Sequence, residues 1–146
     1  MEIKIEMSKR LLYLTAFIEL AESITGKTKL QKMVYLLNEE EHVKTEHNFS
    51  LYTYGPYSFE LTNDLEMLEQ FKYLKVDKVL FPSNGEYVGK EYCYKITEEG
   101  KKFIKDNIDK LTKEEIEHMK KVLKNWNSRS LNEIIKYVYS KYVTKG

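Results

Sequence analysis

The chain has 146 residues, 42% hydrophobic and 13% aromatic, with 24 Lys and Arg against 23 Asp and Glu, two prolines and one cysteine. That length and apolar fraction suffice for one unit with its own core and exclude a disordered chain. A lone Cys93 excludes an internal disulfide framework, and with no signal peptide at the charged start MEIKIEMSKR and no apolar run able to cross a bilayer, a soluble cytoplasmic protein is expected.

The near-neutral total hides a division. Residues 1–100 carry 12 Lys or Arg and 17 Asp or Glu, whereas residues 101–146 carry 12 and 6. Only Arg10 and Arg129 among the cations are arginine. Bidentate reading of guanine or phosphate favours a guanidinium fork, so specific DNA recognition starts at a disadvantage.

In chain order, apolar residues recur at helical spacing at Leu11, Leu14, Ile18 and Ala21 and at Leu12, Ala16, Leu20 and Ile24. Two such stripes leave little polar surface and predict a central, buried helix. Gly26 breaks the pattern. Thr28 and Gln31 have the spacing of a capping box opening a second helix, with Leu30, Met33, Val34 and Leu37 inward and an end near Glu39–Glu41. Asn48 to Tyr54 reads as a short strand, and Gly55-Pro56 as the bend after it. Ser58 can cap a third helix carrying Leu61, Leu65, Leu68 and Phe71.

From Lys75 the period becomes two. Val76 to Phe81 and Tyr87 to Ile96 flank Pro82-Ser83-Asn84-Gly85, a β-hairpin with Asn-Gly chemistry near its tip. Thr97 before Glu98 and Glu99 suits a helix start. Thr112 with Glu115 and Ser130 with Glu133 make two further capping boxes, opening helices joined by Asn127-Ser128-Arg129. These form a C-terminal helical hairpin that packs on the rest of the chain or pairs two chains in a homodimer. The expected fold class is α+β, mostly α, with a two-stranded wing hairpin. Residues 1–110 are expected to form a winged-helix-like domain and residues 111–146 the helical hairpin.

Two stretches carry resemblances. Tyr92-Cys93-Tyr94-Lys95-Ile96-Thr97-Glu98-Glu99-Gly100, continuing through Phe103-Ile104, resembles the end of the wing and the start of the next helix in prokaryotic winged helix-turn-helix regulators. Lys29-Leu30-Gln31-Lys32-Met33-Val34-Tyr35-Leu36, followed by Tyr54-Gly55-Pro56-Tyr57-Ser58, is similar to the two signature stretches of the Panacea antitoxin-like domain and related small bacterial and archaeal proteins. That resemblance covers roughly residues 27–60. It implies a domain that neutralises toxins or adapts partners by protein contacts, without catalytic chemistry.

Core packing alone explains Leu30, Met33, Val34 and Leu37, and turn geometry alone explains Gly55-Pro56. Packing leaves unexplained Lys29 and Lys32, placed on the other side of their helix, and Tyr52, Tyr54 and Tyr57, gathered at one bend. Together with Gly55, Pro56 and Ser58 these are the candidate partner-binding residues. Were DNA the partner, the third helix would enter the major groove and the wing would lie along phosphate. Charges from Tyr57 to Leu74 sum to −3, from Glu60, Asp64, Glu66, Glu69 and Lys72, and those of the wing to −1. Phosphate is repelled there. Lys120, Lys121, Lys124 and Arg129 on the tail are the candidate nucleic-acid contacts.

No catalytic constellation is legible. Gly26-Lys27-Thr28 resembles the end of a P-loop, but Ala21 stands where the earlier glycine belongs. His42 and His47 fit no metal-ligand spacing and read as surface residues, and Cys93 reads as a buried core thiol. No cofactor or metal is implied, and no carboxylate stands in an apolar setting. The expectation is a non-enzymatic regulatory module acting by protein recognition, antitoxin- or adaptor-like, with a DNA-binding transcription regulator as the alternative.

Overall fold

A computed structural model of the chain describes residues 2–83 and 87–143, with side chains described for 9–79 and 91–143. It is mostly helical α+β. In chain order the elements are α1 (Glu2–Ala21), β1 (Ile24–Thr25), α2 (Lys27–Glu39), β2 (Ser50–Tyr52), β3 (Gly55–Tyr57), α3 (Phe59–Gln70), β4 (Leu74–Ser83), β5 (Tyr87–Ile96), α4 (Glu98–Asp106), α5 (Lys113–Trp126) and α6 (Leu131–Val138). A 3-10 turn, Ile108–Lys110, precedes α5, and a π turn, Tyr139–Val143, continues α6.

The central helix is α1. Leu11, Leu12, Leu14, Phe17 and Ile18 are buried, and it packs against α3, α4, α5 and β5. Its start lies further upstream than the apolar stripe suggests, and it stops at Ala21, before Ile24. Glu22 takes a left-handed φ of 67°, which ends the helix. Ile24 then pairs with Tyr94 in a three-stranded antiparallel sheet ordered β1-β5-β4. Two residues of strand are too short for periodicity to detect.

The β4–β5 hairpin runs in register from Leu74 opposite Ile96 to Ser83 opposite Tyr87. The Asn84-Gly85 turn expected at its tip lies outside the described residues. Ser58 and Thr97 cap α3 and α4 through Leu61 N–H and Gly100 N–H, and both boxes of the tail form. Gly100 explains its own motif. A Cβ there would stand 2.4 Å from Tyr73 O, closer than any side chain tolerates, so only glycine lets α4 approach the entry of β4.

Other expectations are corrected. The residue before α2 is Gly26, at φ 102°, with no side-chain cap, so the Thr28–Gln31 box does not form. Gly55-Pro56 is not the bend: it opens β3, opposite Tyr52 and Leu51, and the turn is Thr53-Tyr54. Phe71 lies past the end of α3 and is exposed, and Cys93 is only half-buried.

The helical hairpin α5–α6 packs on α2, and α5 also on α1. Met119, Val122, Leu123, Trp126, Ile134 and Val138 join one hydrophobic cluster with Leu30, Met33 and Leu37. The charge division of the sequence is partly resolved within the chain. Glu40 accepts hydrogen bonds from Tyr137, from Tyr142 at 2.7 Å and from Lys141 at 2.8 Å, and Glu41 pairs with His118 at 2.8 Å and Lys121 at 3.4 Å. The acidic end of α2 is thus a receptor for the basic tail.

Candidate functional site

The two stretches that carry the antitoxin-like resemblance meet in space, and their polar residues explain how. The side-chain amide of Gln31 clasps the backbone of Ser58: its nitrogen donates to Ser58 O and Ser58 N–H donates to its oxygen, both at 2.8 Å. Gln31 and Ser58 are fully buried, so the clasp satisfies a backbone donor and acceptor that water cannot reach. One residue on, Lys32 donates to Pro56 O at 2.9 Å. Far from lying on the solvated side of α2, Lys32 is 1% exposed. Burial pushes its amine down to about 8.

Gly55 supplies the backbone conformation of this junction. At φ 101° it holds a conformation that side chains rarely adopt, and a Cβ would sit 3.5 Å from Lys32 Cε and 3.4 Å from the ring of Tyr139. Tyr139 in turn donates to Thr53 O at 2.8 Å, tying the tail to the turn of the small hairpin.

Beside this junction lies an open cavity of about 300 Å³, lined by Thr28 and Lys32 of α2, Tyr52 to Gly55 and Tyr57 of the hairpin, and Phe59 of α3. Tyr52, Tyr57 and Phe59 pack edge-on, with Tyr52 and Tyr57 each 5.2 Å from Phe59 between ring centroids. Leu51, Tyr52, Tyr54 and Phe59 are exposed by 64, 47, 61 and 58%. Four large apolar side chains around one hairpin make a patch that solvent alone does not favour.

Of the candidate residues, the structure brings Lys32, Tyr52, Tyr54, Gly55 and Tyr57 to this cavity. Pro56 and Ser58 are buried behind it, and Lys29 points elsewhere, donating to Asn127 O at the end of α5. Lys120, Lys121, Lys124 and Arg129 are exposed on α5 and after it. Three of them already have acidic partners: Lys120 has Glu117, Lys121 has Glu41 and Arg129 has Glu133. Thr28, read from the sequence as a helix cap, and Phe59 also line the cavity. Only their position beside the hairpin reveals them.

A second polar group lies apart from this cavity, and nothing in the sequence joins its members. Asp64 on α3 is buried and accepts from Arg10 at 3.0 and 3.3 Å, and its Oδ2 lies 2.9 Å from His47 Nε2. His47 Nδ1 meets Thr45 Oγ1 at 2.8 Å, and Thr45 meets Asn38. His47 is therefore no surface residue, and Asp64 is a buried carboxylate whose setting is polar, between the Arg10 guanidinium and the His47 ring. The order Thr, His, Asp resembles a hydrolase relay, but Thr45 is 2% exposed and its hydroxyl is also held by Asn38. The network lines neither the Lys32 cavity nor the clefts beside α3 and α6. It locks the connection between α2 and α3 onto α1. Among the described residues no group of three or more His, Cys, Asp or Glu could hold a metal ion, and no helix is long and apolar enough to cross a membrane.

No protein-family model matches the chain. It is distantly similar to the uncharacterized protein YwgA of Bacillus subtilis (strain 168), with 35% identity over 107 residues. The match takes in 73% of this chain and 58% of the relative, so the chain covers little more than half of the relative's length.

Proposed function

We propose that this chain is a non-enzymatic intracellular regulatory module on a winged-helix scaffold that acts by recognising another protein, in the manner of an antitoxin or adaptor. The observation that carries this reading is the exposed patch of Leu51, Tyr52, Tyr54 and Phe59 around an open cavity. Tyrosines with an apolar body and a polar tip dominate the energetics of protein interfaces. The resemblance of residues 27–60 to the Panacea antitoxin-like domain supports the same reading.

A DNA-binding regulator is the second reading, favoured by the order of helices and strands around β4 and β5. Charge weighs against it. Glu66 and Glu69 are exposed on α3 beside the cleft toward β4 and β5, where phosphate would have to lie. Affinity capture from the native host with the full chain and with a Tyr52→Ala/Tyr54→Ala variant separates the two. Protein recognition predicts a stoichiometric protein partner retained by the first and lost by the second. Absence of any such partner, together with a gel shift of duplex DNA that weakens steeply with salt, would favour the DNA reading instead.

A further inference from the structure

Lys32 presents a problem that packing does not solve. Its ammonium has three donors, and the hydrogen bond to Pro56 O uses one. Among the described residues no carboxylate pairs with it, and burial alone accounts for the lowering of its pKa. A buried charge without a counter-charge is costly, and methionine or leucine would fill the same space without that cost. Lys32 also forms part of the wall of the 300 Å³ cavity, together with the aromatic side chains of Tyr52, Tyr54, Tyr57 and Phe59.

Thr28 lines the same cavity from the first turn of α2, one helical turn before Lys32. That turn has no acidic residue of its own and the helix no side-chain cap, while the carboxylate of Glu91 on β5 stands beside Gly26 at its start. The volume stands at the small end of the range of ligand pockets, room for one ring-sized body.

We infer that this cavity binds a small carboxylic acid with a flat apolar body, its carboxylate held by Lys32 at the first turn of α2 and its body against Tyr52, Tyr57 and Phe59. The ammonium supplies the charge-assisted hydrogen bonds and the ring edges supply the apolar contact. This site does not depend on the protein-recognition reading, because acid binding is measured on the purified chain with no partner present.

The test is a calorimetric or NMR titration of the full chain with phenylacetate and with its neutral isostere phenylacetamide. The acid is expected to bind at least about tenfold more tightly, as one charge-assisted pair warrants. Lys32→Met should bring the acid down to the level of the amide, with folding checked by thermal melting. Tyr52→Ala, a change at an exposed position, should weaken acid and amide in parallel and leave their ratio unchanged. Equal binding of acid and amide by the unaltered chain would overturn the assignment even if Lys32→Met fails to fold. So would acid binding that survives Lys32→Met, or no saturable binding of phenylacetate up to about 10 mM.

Discussion

At the scale of single residues, the polar groups of α2 carry more structure than its apolar ones reveal. Gln31 sits between Leu30 and Lys32, and nothing in its spacing separates it from a capping residue. Its amide instead replaces water for the buried backbone of Ser58. Gln31→Leu is therefore expected to destabilise the chain by roughly 1–3 kcal/mol, the cost of leaving a buried donor or acceptor unsatisfied. Urea unfolding measures this, and a change below a few tenths of a kcal/mol would contradict the clasp. Lys32 has a pH signature. With its folded pKa pushed down to about 8, the unfolded chain binds more protons between that value and the ordinary lysine range. Stability contributed at this position is thus present at high pH and lost as pH falls through about 8. Comparison of unaltered chain and Lys32→Met across this window should show a rise with pH in the former that the latter lacks.

Among the elements, α6 and its π turn depend on a single acidic receptor. Burial acts to raise the pKa of Glu40, but hydrogen bonds from Lys141, Tyr137 and Tyr142 and the Lys141 charge outweigh it, and the carboxyl is held below its ordinary value. A group lowered in the folded state contributes stability above its unfolded pKa, and that contribution is lost as pH falls through the folded value. Acidification should therefore loosen α6 from α2. Trp126, the one tryptophan of the chain, lies 4.7 Å from the ring of Tyr137 and reports the event. A fluorescence change is expected below the ordinary carboxylate range in the unaltered chain, and none in Glu40→Gln at the same pH. The caps tell the opposite story about legibility. Thr112 with Glu115 and Ser130 with Glu133 were readable because a capping box is closed within four residues.

For the whole molecule, the tail is part of the core. Met119, Val122, Ile134 and Val138 are buried in the same cluster as Leu30, Met33 and Leu37 of α2. A chain ending at residue 110 exposes that face of α2, and is expected to lose cooperative thermal unfolding or to aggregate. A sharp melting transition of the fragment near that of the full chain would show that residues 1–110 are self-sufficient.

The sequence by itself determined the helical majority, the β4–β5 hairpin, the caps of α3 to α6 and the apolar faces of α1 and α2. Each is a local matter, set by periods of two or 3.6 residues and by hydrogen bonds that span a single turn. It also marked Lys32, Tyr52, Tyr54 and Tyr57, because charge and aromatic clustering stand out against a packing pattern. Only the tertiary structure decided that Lys32 is buried against Pro56, that Gln31 serves Ser58, that Asp64 and His47 form a sealed network with Arg10, and that Glu40 holds the tail. Those partners are 17 to 102 residues apart in the chain. A buried polar group takes whatever donor or acceptor the fold brings to it, and the residue types nearby in sequence do not state which one that is.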